Sequence, residues 1–413
     1  MSEDFKRKLQ DYAAGKLTDE EREEVELEME KMEVYQAYLE EVIINPDPEL
    51  AGEGKEGQTI RNPMPSASLN EAVIIRRGKW KARVMNVFTV LSVLLVLTVI
   101  SSVITGVFYG SGTPDRMAAY RDVVESAVAV SQPNVKVNVN GSGNAFFTMD
   151  FKGKLNKRVG DEDIAVADFS MRFLMNLASA PNITWQENNM GGNRFFYHPD
   201  YKPGEESEQQ EVNRGEAERF DQNEWAMLEK LPEGTVAEAY LSFDRLFSTD
   251  EVLKKFEHKN MDPVWFAVDT GLDLKFVDSG GVIINPVGFP YLPVWQSDDL
   301  TVDFYSEKKT GLGKMVSSGG HYPSLEAYGD GEKRNGYFKK TLSMLQKNKG
   351  ISAKAAPFLQ LDRTIDYVDK NGVKLYGAVI TGPVKELLKL REESWIRDLR
   401  VGDVQLWNWQ PRE

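Results

Sequence analysis

Cysteine is absent from all 413 residues. Disulfides, thiolate zinc sites and cysteine nucleophiles are therefore excluded together. Histidine is nearly as scarce. His198, His258 and His321 are the only three, far apart in the chain, and no neighbouring nucleophile suggests a triad. The phosphate, dinucleotide, zinc-protease and nucleophile-elbow motifs (G-x-x-x-x-G-K-[ST], G-x-G-x-x-G, H-E-x-x-H, G-x-S-x-G) are all missing. Gly141-Ser-Gly143 lacks the third glycine of a dinucleotide loop and falls in an expected strand turn. Asp362, Asp366 and Asp369 lie beside Asn371-Gly372, miss the EF-hand spacing, and read as solvated hairpin charges. No enzyme is visible, and no metal or cofactor is expected. Positive charge is short as well: the net charge is −14, which argues against direct nucleic-acid binding.

The most informative absence is local. From Val84 to Tyr109 the sequence VMNVFTVLSVLLVLTVISSVITGVFY contains no Asp, Glu, Lys, Arg or His in 26 residues. As a helix at about 1.5 Å per residue it would be about 39 Å long, more than the roughly 30 Å hydrocarbon core of a bilayer. A buried core helix is the alternative, but an uncharged run of this length ringed by polar sequence fits one poorly. The flanks set an orientation. Arg76, Arg77, Lys79, Lys81 and Arg83 precede the run, whereas no cation follows it until Arg116. Basic residues collect on the cytoplasmic side, so the N-terminus is expected inside and the larger C-terminal part outside. Trp80, Phe108 and Tyr109 suit interfacial anchors. The run begins after 83 residues, too far in for a cleaved signal peptide. The expectation is a single-pass cell-membrane protein, and an exported region without disulfides fits a bacterial source.

The expected domains are a helical unit over 1–44, a linker over 45–75, the basic flank and transmembrane helix over 76–110, a membrane-proximal region over 115–230, and an α+β domain over 231–413. In the first unit Phe5, Leu9 and Tyr12 share one helical face. Gly15 reads as a stop. Thr18 then reads as an N-cap with Glu21 completing a capping box. A second helix carries an apolar seam of Val25, Met29, Met32, Tyr35, Leu39 and Val42, and a partial second seam of Leu27, Val34 and Tyr38. Such a hairpin is too small to bury both seams, which leaves a copy of itself, another protein or water as the partner of the second. Residues 1–70 hold 18 acidic and 8 basic side chains. An acidic, partly apolar helix favours a basic protein partner, although a solvated charged face is the plainer alternative. Residues 45–70, rich in proline and glycine, read as linker.

Beyond the span, residues 114–130 read as a helix. Val135 to Phe151 reads as a hairpin broken at Gly141–Gly143. Ala165 to Ala180 fits helix or strand, and Phe195 to Tyr197 fits a short strand. From Leu231 the expectations are a strand over Thr235–Phe243, a helix capped at Ser248, a strand over Val264–Val268, and a helix over Gly336–Lys347 stopped by Gly350. They continue with a hairpin joining Ile365–Val368 to Val373–Ile380 through Asn371-Gly372, a helix from Val384, and an aromatic strand over Val404–Trp409. Strands and helices interleave without a βαβ beat, so the fold class is multidomain: a helical hairpin, one transmembrane helix and an α+β region.

Several of these stretches carry a resemblance. FKRKLQDYAAGKLTDEE, VYQAYL, LPEGTVAEAYLSFDRLF, VGFPY, YVDKNGVKLYGAVITGPVKEL and VGDVQLWNW, in that order, resemble the membrane-bound anti-sigma factors of the Bacillus sigma-M regulator type. Residues 115–230 agree more loosely. The resemblance implies that the hairpin clamps an extracytoplasmic-function (ECF) sigma factor at the membrane and represses its regulon until an envelope signal acts. It further implies that a second small membrane protein assists. Many anti-sigma factors bind zinc through histidine and paired cysteines; this chain has no cysteine, which excludes that route. The partner-binding residues implied are Phe5, Leu9, Tyr12, Val25, Met29, Met32, Tyr35 and Leu39, divided between hairpin core and contact face. On the residues alone, a tethered receptor with an oligomerising helix and an extracellular hydrolase both stay open.

Overall fold

The computed structural model describes residues 11–12, 16–44, 67–186, 196–201, 224–278, 281–310 and 313–412. They form two compact units, Met1–Arg83 and Val84–Glu413.

In the first unit the acidic helix runs from Asp19 to Ile44. The Thr18 amide and hydroxyl both donate to Glu21 Oε2, at 3.1 and 2.8 Å, so the start is fixed by the side chain that the capping-box pattern marks. Of the first expected helix, Asp11 and Tyr12 are described and helical; Phe5 and Leu9 lie outside the described residues.

The apolar helix is longer than its hydrophobic run, from Ala67 to Tyr109. Residues 67–75, expected in the linker, are already helical. From Gly78 to Tyr109 it is long and apolar enough to cross a bilayer, and none of its most apolar window is buried inside the protein.

The second unit holds two five-stranded sheets and an exposed ribbon. Helix Arg116–Ser131 opens on Asp115, whose carboxylate accepts the Ala118 amide, and lies on the first sheet. That sheet is antiparallel, built from β1 (Val135–Gly143), β2 (Thr148–Val159), β3 (Glu162–Leu174), β4 (Leu177–Ala178) and β5 (Asn182–Trp185). Gly141 to Gly143 pair with Phe151 to Met149 rather than turning; the turn comes later, before Thr148, with Phe146 and Phe147 at φ 60° and 56°. The segment that fitted either helix or strand is β3. Its length lets Val166, Phe169, Met171 and Phe173 be buried, and pairing with β2 decides the state.

The second sheet has the order β12-β6-β11-β7-β8, all neighbours antiparallel. Its strands are β6 (Thr235–Phe247), β7 (Asp262–Val268), β8 (Gly288–Pro290), β11 (Leu375–Pro383) and β12 (Ile396–Leu406). Successive side chains of a strand face opposite ways. In β6, Ala237, Ala239, Leu241 and Phe243 join the main core with Phe256, Phe338 and Leu342 of the covering helices. Tyr240 faces the other way and packs with Phe196, Trp265 and Tyr376. Helix Thr249–Phe256 begins at the expected cap Ser248, which forms a reciprocal capping box with Glu251. Between β8 and β11 come the ribbon β9 (Thr301–Thr310) and β10 (Gly313–His321), unforeseen in the sequence, and helices Gly331–Lys347, Lys349–Ala355 and Leu361–Asn371.

Four expectations are corrected here. Gly350 does not stop a helix but sits inside Lys349–Ala355. Residues 361–371 are a helix, not half of a hairpin. Leu361, Thr364 and Val368 recur at i, i+3 and i+7 and are all buried, and Gly372 at φ 76° ends the helix, so Asn-Gly serves as a helix stop. Asp362, Asp366 and Asp369 accordingly lie on a helix. Phe196 and Tyr197 form no strand, only a bridge from Tyr197 to Val282, and Phe195 lies outside the described residues. The aromatic end also shifts. β12 stops at Leu406, and Trp409 is buried beyond it with Nε1 donating to Asn260 Oδ1 at 2.8 Å.

Candidate partner-binding site

The acidic helix carries 11 acidic residues against Arg22 and Lys31. At about 100° per residue, Val25, Met29 and Met32 share one flank, Leu27 and Val34 lie on the opposite one, and Tyr35 sits between the two, next to Met32. Among the side chains described in this helix, Val25 alone is buried, at 1% exposure. Met29 and Met32 are 44% exposed, whereas Leu27, Val34 and Tyr35 reach 52, 55 and 65%. Of the eight candidate residues, then, Val25 is internal, Met29 and Met32 border it, and Tyr35 is open. Tyr12 is half-buried and donates to Glu26 Oε1 at 2.7 Å, with Arg22 over its ring. Leu39 is on the helix, but its side chain, like Phe5 and Leu9, lies outside the described residues. Leu27 and Val34 were absent from the candidate contacts, although the partial second seam was their signal. Exposed apolar residues among charges are what a binding helix presents before its partner covers them.

The second unit concentrates its polar chemistry where its two sheets meet. The Glu238 carboxylate, wholly buried on β6, accepts from Lys157 Nζ of β2 at 3.1 Å, Asn134 Nδ2 at 2.8 Å, the Tyr240 hydroxyl at 3.0 Å and the Asp403 amide at 3.1 Å. Lys157 also donates to Asp403 Oδ2 at 2.9 Å. Burial opposes the ammonium, but Glu238, Tyr240 and Asp403 outweigh it and push its pKa up. A second tie lies alongside: Gly160 N donates to Thr381 Oγ1 at 2.6 Å, and Arg412 bridges Asp161 and Asp262. A third runs from helix Arg116–Ser131, whose Ala129 carbonyl accepts from Trp265 Nε1 at 2.8 Å and whose Asp122 accepts the Ser297 amide at 2.8 Å. The helix that follows the span is thus joined directly to β7 of the C-terminal sheet.

His198 is also buried. Its Nδ1 accepts the Asp200 amide at 3.2 Å, and its Nε2 is 3.6 Å from Asp269. Burial works against the Asp269 carboxylate, but His198, the Gly271 amide and the Tyr367 hydroxyl hold its pKa below the usual value. Tyr367 is pushed up to about 12 by burial and by Asp269. The nearby Thr270 hydroxyl donates to Asp273 at 2.7 Å, so it is already bonded within the loop. Among the described residues no group of three or more His, Cys, Asp or Glu could hold a metal ion.

Comparison with known proteins gives this architecture a family. Residues 73–164 match the sigma factor regulator N-terminal family and residues 228–403 the sigma factor regulator C-terminal family. Over 99% of its length the chain is 29% identical to the whole of the probable anti-sigma-M factor YhdL of Bacillus subtilis (strain 168). This chain is a membrane anti-sigma factor of the sigma factor regulator type. Its partner is a sigma factor, and its effect is negative regulation of transcription. No solved structure matches the chain. The two family matches begin at residue 73, so the anti-sigma factor's acidic helix stands outside both and is covered only by the full-length relative.

Proposed function

We propose that this anti-sigma factor sequesters an ECF sigma factor, sigma-M-like as in the name of its relative, on the cytoplasmic face of the membrane. The acidic helix Asp19–Ile44 is the holding element, and residues 115–413 are the extracytoplasmic regulatory part, divided near residue 230. The observation that carries this reading is the coincidence on one helix of a large acidic excess with Leu27, Val34 and Tyr35 left open to solvent. A sigma factor presents basic DNA-binding surface and apolar surface that it otherwise offers to polymerase. The helix complements both, and the charge accelerates encounter. Val25 is assigned to the internal packing of the unit, Met29 and Met32 to the edge of the contact, Leu27 and Val34 to its centre, and Tyr35 to the side between Met32 and Leu27. Arg76 to Arg83 on one side of the span, with no cation between Tyr109 and Arg116, supports the N-inside orientation. In the sigma-M regulator type a second small membrane protein assists, and we assign it no residues here.

The test is co-purification of the full chain with its sigma factor in mild detergent, combined with a reporter of the regulon. Tyr35→Asp and Leu27→Asp each place a charge where apolar burial is worth about 2 kcal/mol, so binding falls roughly 30-fold and the regulon is derepressed. Unchanged sigma recovery with both substitutions combined would remove the helix from the contact.

A further inference from the structure

We propose that one end of the first sheet is itself seated in the bilayer: Phe146, Leu174, Met175 and Leu177 form an apolar rim that enters the boundary of the hydrocarbon layer beside the transmembrane helix. The proposal rests on the membrane-spanning reading of that helix, though not on its orientation.

The rim is bonded to the span. The Phe146 amide donates to Ser101 Oγ at 2.7 Å and the Phe147 amide to Thr105 Oγ1 at 2.9 Å. The Tyr109 hydroxyl donates to the carbonyls of Phe147 and Met175, at 2.9 and 3.1 Å. The Met175 amide closes the set on the Phe147 carbonyl at 2.9 Å. The β1–β2 turn and the β3–β4 turn therefore lie side by side against the last two turns of the helix.

Depth follows from charge. Arg83 is the last charged residue before the uncharged run, and an apolar layer of about 30 Å takes up about 20 residues of helix. Counted from Val84, such a layer ends near Val103, and any tilt carries it closer to Tyr109. Ser101 lies inside that limit, and Thr105 lies two residues beyond it, within the layer once the helix tilts by about 25°. Whatever bonds to these two hydroxyls lies at the boundary of the apolar layer.

The rim has the chemistry that depth demands. Phe146, Leu174, Met175 and Leu177 are 59, 49, 43 and 67% exposed, a concentration of bare apolar surface at one end of a sheet whose opposite face is well packed. Two residues further from the membrane the composition changes, with Arg172 and Asp150 forming an ion pair across β3 and β2. Non-helical backbone at this depth has to find partners within the protein, because lipid supplies none. The Ser101 and Thr105 hydroxyls supply them. Phe146, Phe147 and Met175 hold φ of 60°, 56° and 55°, a left-handed conformation that bulky residues rarely adopt. Here it aims two consecutive amides at the helix.

Because the chain has no cysteine, single probes can be placed without background. Leu177→Cys, exposed and in the short strand β4, Leu94→Cys in mid-span and Asp163→Cys at the far end of β3 would each be labelled with an environment-sensitive fluorophore in the full chain. The labelled chain is reconstituted in phosphatidylcholine/phosphatidylglycerol vesicles at high lipid-to-protein ratio. The expected result is blue-shifted emission at Leu177 and quenching by shallow spin-labelled lipid several-fold stronger than at Asp163, which aqueous iodide quenches instead. A Leu177 probe quenched by iodide as strongly as the Asp163 probe, while Leu94 is quenched by lipid, would overturn the rim and leave the span intact. Protection of Leu177 from both quenchers would show protein covering it and would likewise overturn the proposal. Loss of lipid quenching at Leu94 would instead reject the membrane reading itself.

Discussion

The acidic helix and the two-sheet unit handle apolar surface in opposite ways. Helix Asp19–Ile44 leaves Leu27, Val34 and Tyr35 more than half exposed, with Val25 its one described buried side chain. In the sheets, β11 is buried along its whole length and β6 along its first nine residues, and even a carboxylate such as Glu238 is inside with a full set of partners. One region leaves apolar side chains open to solvent, whereas the other completes its own core and uses its polar groups to hold two sheets together. For an anti-sigma factor the division is physically sensible. On the proposed reading, a helix that binds and releases keeps its apolar face available, and a regulatory region that transmits across a distance has to be stiff.

The comparison can be broken most severely at Lys157. Lys157→Met leaves Glu238 buried without its cation, which costs about 3 kcal/mol and lowers the unfolding temperature of the full chain in detergent, followed by near-ultraviolet circular dichroism. Adding Glu238→Gln should restore part of the loss, because the remaining neighbours can bond a neutral amide. A Lys157→Met protein as stable as the parent would mean that the seam is not what joins the sheets.

The next effect falls on the other region and has the opposite signature. Tyr35→Asp should cost roughly 30-fold in sigma-factor retention while changing unfolding by less than about 0.5 kcal/mol, since the side chain is 65% exposed and packs little within its own unit. A large stability loss there would show Tyr35 to be internal. Smaller still, Ser248→Ala removes the acceptor for the Glu251 amide at the start of helix Thr249–Phe256 and should cost about 1 kcal/mol, with sigma retention unaltered.

Acid gives the mildest test. Burial works against the Asp161 carboxylate, but Arg412, the Gln410 amide and Arg158 hold its pKa below the ordinary 3.8. A depressed carboxylate stabilises the fold fully above its unfolded value and loses that contribution as pH falls through the folded one. The tie between residues 158–161 and the C-terminal tail should therefore be intact at neutral pH and weaken only below about pH 4. Asp161→Asn should flatten that part of the acid-unfolding curve.

Much of the local structure was legible because its causes are short-range. Thr18 with Glu21 and Ser248 with Glu251 mark helix starts, and the alternation in TVAEAYLSF marks β6. Where short-range signals conflicted, they misled. In LDRTIDYVDKNG the stretch Ile365–Val368 and the closing Asn-Gly read as a hairpin, yet the i, i+3, i+7 spacing of Leu361, Thr364 and Val368 wins, because β11 already has β6 and β7 on its two edges. The ribbon β9–β10 was missed for a related reason. Lys308, Lys309, Lys314 and the glycines Gly313, Gly319 and Gly320 give it no apolar alternation.

The candidate site divides along the same line. Sequence alone determined that one uncharged segment is long and apolar enough to span a bilayer, that this chain supplies no thiol, and that the acidic helix carries two apolar seams. Those conclusions need only composition and periodicity. Tertiary structure decided which described apolar residues of the acidic helix are open, that Glu238 is an internal anchor and not a surface charge, and that Ser101 and Thr105 of the span accept amides from a sheet about 40 residues further on. These depend on which strands pair and how deeply a position is covered, and pairing between distant segments leaves no trace in local spacing.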